Sequence, residues 1–374
     1  MKPSYLNKTA IVASMLTMLM TGAMGDTVQN YYTAPPASNA QGAEENLRAG
    51  VTNNDIEKVK AAIKAGVNVN AVEMRDWQNM KSTPLIIATE KGYEEIVKAL
   101  IAAGAKLEIK NQNDCTPLDV AARKKNTNIV KILLAAGANV NLTDKNGWTP
   151  LITAAYYGNA ENVKVLIQAG AKIDATNQNG WTPIIAAAQN HSAGGTEAVK
   201  ALIQAGANVE SAEDNGQTIL MTASWTGNVE TIKTLIQAGA NVNAESKNGW
   251  TPLVYAALKN RAKAIKTLAE AGANVNLTDK NAKIPLMEAA IEGHHEAIKA
   301  LIQAGADVNA KNIVGFTPLM FAARGGKPEV VKTLIQAGAD VEAKNQSGET
   351  ALSLAEKLTK NKEEIIKLLS EAKK

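Results

Sequence analysis

A step of 33 residues constrains this chain more than any other feature. Thr83, Thr116, Thr149, Thr182, Thr218, Thr251, Ile284, Thr317 and Thr350 stand 33 apart, except for 36 between Thr182 and Thr218. Most of them precede proline. The glycine of a recurring Ala-Gly gives a second ruler: Gly66, Gly104, Gly137, Gly170, Gly206, Gly239, Gly272, Gly305 and Gly338. After a first step of 38 it keeps the same spacing. Two independent rulers that agree mark a chain of stacked units, none of which buries its apolar face alone.

Residues 146–180 show what one unit asks for. Asn146-Gly147 suits a tight turn that needs positive φ. Thr149 is a helix N-cap, and Pro150 fits the first helical position, where no N–H is needed. The pattern predicts a helix over Pro150 to Tyr157 with Leu151, Ala154 and Ala155 inward, broken at Gly158-Asn159. A second helix follows over about Glu161 to Ala169, with Val163, Leu166 and Ile167 at helical spacing. Gly170 ends it as a left-handed cap, and the short stretch Ala171 to Ala175 leads to the next turn.

This turn–helix–helix unit, with G-x-T-P-L-x-x-A-A and L-I-x-A-G-A-x-V-N-A, resembles the ankyrin repeat. The resemblance covers residues 43–374 and implies an all-α ankyrin-repeat solenoid of helix–turn–helix units with β-turn fingers, about ten counting caps. With the leader described below, the chain looks like an exported repeat protein of bacterial type. One departure runs through it. The family's histidine after Thr-Pro-Leu is replaced by Ile86, Asp119, Ile152, Ile185, Met221, Val254, Met287, Met320 and Ser353. These mostly apolar residues keep the packing and give up a polar contact.

The ends read as caps. Ala43 to Val51 and Asn54 to Ala65 form a first helix pair, with Asn54 and Glu57 placed as a capping box. Lys362 to Lys374 gives the last unit a wet outer face. Three places break the rhythm. Five extra residues fall within Val72 to Ser82, a stretch that contains Trp77. Three more fall in Asn190 to Gly195, read as a loop with Gly194-Gly195 as breakers. At 281–285 both the turn glycine and the capping threonine are missing. Loss of a threonine cap costs about 1 kcal/mol, so this unit is expected to be the weakest joint of the stack.

The N-terminus reads as a signal peptide over 1–25. Lys2 and Lys8 precede the apolar run Ala10 to Met20, which is too short to span a bilayer, and Ala23-Met24-Gly25 offers small residues for cleavage. Residues 26–42, polar with Pro35-Pro36, read as a disordered linker. The only cysteine, Cys115, reads as a small apolar residue beside a turn; it excludes an intrachain disulfide and leaves no lipid-bearing cysteine after the apolar run. The expected product is exported, periplasmic or secreted, with no membrane span after cleavage, and monomeric. Its net charge of +4, or +2 once the two leader lysines are gone, is too small for a nucleic-acid binder.

Aromatics make up only 4% of the chain, and eleven fall outside leader and linker. Nine of these occupy three columns of the repeat. Trp148, Trp181, Trp250 and Phe316 directly precede the cap position. Tyr156, Tyr157 and Trp225 lie at the end of the first helix. Tyr255 and Phe321 sit mid-helix, where other units have Thr153, Thr222 or Glu288, and such polar residues argue that the slot is not fully buried. The column before the cap reads Ser82, Cys115, Trp148, Trp181, Gln217, Trp250, Lys283, Phe316 and Glu349, a variability that suits an exposed position. In the family it resembles, these columns line the fingers and the concave face. With units about 10 Å apart, the aromatics would form a stripe roughly 50–60 Å long. The expected function is non-catalytic binding of a protein partner on this stripe. Glycan or peptidoglycan stacking on the same rings is the alternative, and rings that only stiffen the stack are a third reading.

Nothing suggests an enzyme, a cofactor or a metal. There is no phosphate-cradling glycine loop and no serine–histidine–aspartate set. His191, His294 and His295 read as solvated loop histidines. Glu94, Glu95 and Lys98 mark a solvated outer face on the second helices. Asn-x-Ser/Thr sequons at Asn141, Asn276 and Asn345 fall in turns.

Overall fold

A computed structural model describes residues 37–72, 74–75, 81–280 and 282–373. The expected signal peptide, the linker as far as residue 36 and Trp77 lie outside the described residues. Among the described residues twenty helices form ten antiparallel pairs. The fold is therefore an all-α solenoid. The only named strands among the described residues are Met74–Arg75 and Lys81–Ser82, an antiparallel hairpin that takes up the first insertion.

The unit at 146–180 shows how sequence becomes structure. Thr149 Oγ1 accepts from Ile152 N–H at 3.2 Å, and Pro150 opens the helix Pro150–Tyr156. The second helix, Ala160–Gln168, ends in a Schellman motif. Gly170 takes φ 84° and donates to the Ile167 carbonyl, while Ala171 donates to that of Leu166. The finger is a hairpin turn in which Gly147 N–H bonds the Asp144 carbonyl and Asp144 N–H bonds that of Trp148. Only the glycine adopts positive φ, at 79°. Asp144 Oδ1 accepts from the N–H groups of Asn146 and Trp148, which locks the turn.

First helices pack on first helices of the next unit, and second helices on second. Leu151, Ile152, Ala154, Ala155, Val163 and Leu166 are fully buried, and the paired alanines let backbones approach closely. The outer helices carry exposed ion pairs at i,i+3, among them Lys98–Glu95, Lys164–Glu161, Lys200–Glu197 and Lys233–Glu230. A clamp joins neighbouring units. The amides of Asn70, Asn141, Asn243, Asn276 and Asn309 each donate to a carbonyl of the Ala-Gly glycine one unit on. Each carboxamide oxygen accepts the N–H two residues past that glycine.

Several expectations are corrected. The first helix, Ala37–Asn53, begins inside the stretch expected to be linker, since no proline after Pro36 interrupts it. The next helix is capped by Asp55, whose Oδ1 accepts from Lys58 N–H; Asn54 instead takes φ 60° as the turn residue. The residues 190–195 are not all loop. The three additional residues extend a helix, Ala193–Gln204, to twelve residues where its counterparts mostly have nine. Gly194 and Gly195 lie within it, and a Cβ on Gly194 would collide with the Gly158 carbonyl. His294 and His295 are not solvated loop residues. His294 bonds the Leu258 carbonyl and His295, in the helix His295–Gln303, bonds Thr333 Oγ1, each at 3.0 Å. The sequon asparagines Asn141 and Asn276 belong to the clamps, and Asn345 is buried with its oxygen locking a finger.

In the unit at 281–285, Ala282 stands where others place glycine and takes φ 54°. Ile284 caps the helix without a side-chain bond and is buried. Lys283 pairs with Glu288 at 2.9 Å across the same turn.

Candidate functional site

The finger hairpins hold the aromatic column in place. Trp148, Trp181, Trp250 and Phe316 each donate a backbone N–H to a side chain four residues earlier: Asp144, Asn177, Ser246 and Asn312. Their carbonyls accept from the N–H groups of those same residues. All four rings are partly buried. Tyr156, Tyr157 and Trp225 are exposed, at 38%, 46% and 37%. Tyr255 and Phe321 are buried, at 7% each, and Thr222 and Glu288 in the same slot are buried too. The incompletely covered slot read from the sequence is thus closed at these positions, because the residue five places earlier folds over it.

That pairing repeats. Trp250 meets Tyr255 edge to face with centroids 5.7 Å apart, and Phe316 meets Phe321 at 5.2 Å. Where the pair is polar, Gln217 Nε2 donates to Thr222 Oγ1 at 3.2 Å and Lys283 pairs with Glu288. Aromatic with aromatic, amide with hydroxyl, and cation with anion fill one intramolecular contact in four different units. The aromatics therefore do not form one stripe. They gather in three clusters separated by the Gln217–Thr222 and Lys283–Glu288 pairs.

Two clusters are internally engaged. Lys259 Nζ lies 3.8 Å from the centroid of Trp225, and Trp225 meets Tyr255 at 6.1 Å. The Arg324 guanidinium lies 5.0 Å from Phe316 and 5.6 Å from Phe321. Burial pushes the Tyr255 phenol up, against a hydrogen bond with Ser246 that lowers it. The finger that carries Phe316 also exposes Ile313 and Val314, which a search for aromatics alone overlooks.

The third cluster is open. Trp148 and Trp181 face Thr153 and Ala186 in the mid-helix slot, which are too small to cover an indole. Trp148 meets Tyr156 edge-on at 5.2 Å and Trp181 at 6.1 Å; Tyr156 meets Tyr157 at 5.4 Å and stacks toward Trp181 at 6.3 Å. Together they wall a half-open cavity of about 360 Å³ that runs across three successive units, from Cys115 to Trp181. Trp181 also hydrogen-bonds Glu213, whose carboxyl is pushed up by burial against that bond.

The cavity's other wall holds residues that the aromatic columns did not reveal: Cys115, Asp119, Arg123 and Asp144. Asp119 closes a capping box. Its Oδ2 accepts from Thr116 N–H at 2.9 Å and from Thr116 Oγ1 at 2.8 Å, while Oδ1 has no partner. It is 4% exposed, and burial pushes its carboxyl up to about 7, with Asp144 adding to the rise. Burial likewise pushes the Cys115 thiol to about 11, so it is no nucleophile at neutral pH. The signal for Asp119 was present in the sequence: it is the only charged residue at the position after Thr-Pro-Leu.

A family model for ankyrin repeats in three copies matches residues 47–144, 136–213, 191–279 and 286–374. No curated protein matches the chain.

Proposed function

The chain belongs to the ankyrin-repeat family, and on that premise we propose that it is an exported, non-catalytic binding module that docks a protein partner on the cavity between Cys115 and Trp181. Ankyrin repeats generally mediate protein–protein interaction and are typically non-catalytic. The open cluster around Trp148 and Trp181 carries the choice of site. It is the place where rings of consecutive units, Trp148 and Trp181, meet beside an open cavity while their mid-helix slots hold only Thr153 and Ala186. Rigid aromatics held by finger hairpins bind with little ordering cost. Export rests on the leader: Lys2 and Lys8 ahead of the apolar run Ala10 to Met20. Among the described residues no helix is long and apolar enough to cross a membrane.

Protein is preferred over glycan as the ligand because sugars stack on flat, open ring faces. Here the rings of the open cluster are tilted against one another, Trp148 and Tyr156 at 89° and Trp148 and Trp181 at 60°, and the face of Trp225 is covered by Lys259.

Affinity capture from the envelope fraction of the producing organism tests the reading. The unaltered chain is compared with Trp148→Ala/Trp181→Ala and with Trp250→Ala/Phe316→Ala, once melting shows that each folds. A protein captured by the chain, lost with the first variant and kept with the second is the expected result. Equal capture by the first variant removes the site from this cavity.

A further inference from the structure

We propose that the cavity bounded by Trp148, Tyr156, Trp181, Asp119 and Asp144 receives a lysine or arginine side chain of the partner protein. This deepens the docking reading above and rests on it.

The argument begins with a charge that the fold does not need. Asp119 caps its helix through Thr116, but Ser353 closes the same capping box with Thr350 using a neutral hydroxyl. The other sister positions are apolar. A buried carboxylate with an unpartnered oxygen is costly, and a cap alone does not require it. The nearby cations are already committed. Arg123 leans toward Glu90 at 3.4 Å. Lys110 Nζ donates to the Thr143 carbonyl at 2.7 Å, and Lys145 Nζ to Asn113 Oδ1 at 2.9 Å. Asp144 stands on the next finger as a second carboxylate in the same wall. The opposite wall is aromatic, and ring faces attract cations through their quadrupole. Two carboxylates and a set of indole and phenol rings around about 360 Å³ suit one long basic side chain, with its stem on the rings and its head toward the acids.

Burial holds the Asp119 carboxyl near 7, and a bound cation favours its ionised form. Binding is therefore stronger at pH 8 than at pH 6. The other titratable and polar groups in this wall are Asp144, Cys115, Lys110, the Thr116 hydroxyl and Arg123, the last one helical turn away and paired with Glu90.

The test uses the full chain labelled with ¹⁵N, following the indole N–H signals of Trp148 and Trp181. The probes are the N-acetyl, N′-methylamide derivatives of lysine, arginine and the uncharged norleucine. The expected result is that lysine and arginine shift both signals and bind at least ten-fold more tightly than norleucine. Asp119→Asn keeps the acceptor for Thr116 but turns the free oxygen into a donor; it should weaken the lysine probe at least ten-fold and leave norleucine unchanged. Norleucine binding as tightly as lysine to the unaltered chain overturns the proposal, and that comparison does not depend on the variant folding. Undiminished lysine binding by Asp119→Asn overturns it as well. If capture depends on Trp148 and Trp181 but the cationic probes fail, the docking reading stands and the cation reading falls. If the probes succeed but capture ignores the tryptophans, the cavity is a cation site and the docking reading falls.

Discussion

At the scale of single residues, Asp119 sets a pH dependence for the fold. Its ordinary value of 3.8 is raised to about 7 by burial. Between those values the folded chain holds a proton that the unfolded chain has released, so stability falls as pH rises from about 4 to about 7. Above that window the full cost is present, roughly 4 kcal/mol for a rise of about three pH units at about 1.4 kcal/mol each. Asp119→Asn keeps the bond to Thr116 and removes the charge. It should raise stability by that amount at pH 8 and by little near pH 4, measured as denaturant midpoints at the two values. An equal gain at both would show that ionisation is not the cause. The charge was legible in the sequence as the odd letter in a column, but its burial was not. Burial depends on how the units stack, which no single column records, whereas the Tyr255 and Phe321 slots are closed within their own units by Trp250 and Phe316 five residues earlier.

At the scale of elements, the helices were legible because their signals are local. Thr-Pro at one end and Ala-Gly at the other act within a few residues, and nine copies let one unit check the next. The insertion at 190–195 was misread because its placement depends on distant backbone. Gly194 suits a loop by local rules, yet it sits in a helix that touches Gly158. The unit at 281–285 is the informative exception. Ala282 at φ 54° costs roughly 1–2 kcal/mol that glycine avoids, and Ile284 supplies no capping oxygen. The Lys283–Glu288 pair and the burial of Ile284 offset part of that loss. Ala282→Gly should therefore stabilise the chain by about 1 kcal/mol. Native-state hydrogen exchange should show Leu286 to Ile298 among the least protected helical segments, and protection equal to that of Pro150–Tyr156 would contradict this.

At the scale of the molecule, stability is a sum of units and the contacts between neighbours. One poor unit then divides the stack into a longer N-terminal block and a shorter C-terminal block. Spectroscopy can separate them, since all five tryptophans precede residue 251. In denaturant, the loss of helical circular dichroism should begin before the change in tryptophan fluorescence, because the C-terminal helices melt first and carry no tryptophan. Superimposable transitions would mean that the stack melts as one body in spite of Ala282. The candidate cavity lies in the longer block, three units or more from the weak joint, and its rings should stay in place through the first transition.

The asparagine clamps have a consequence for how such a chain changes length. Each clamp takes its amide from one unit and its carbonyl and N–H from the following one. A whole 33-residue segment copied in tandem thus arrives with both halves of the joint already matched to its neighbours. Duplication or excision of a whole clamped unit leaves the asparagine joint matched, and extra residues confined to a finger leave it matched too, since Asn70 reaches Gly104 across a separation of 34 where the other clamps span 29. Recombination can therefore lengthen or shorten this molecule as one adds or removes links, and the docking surface can be shuffled without redesigning what holds it together.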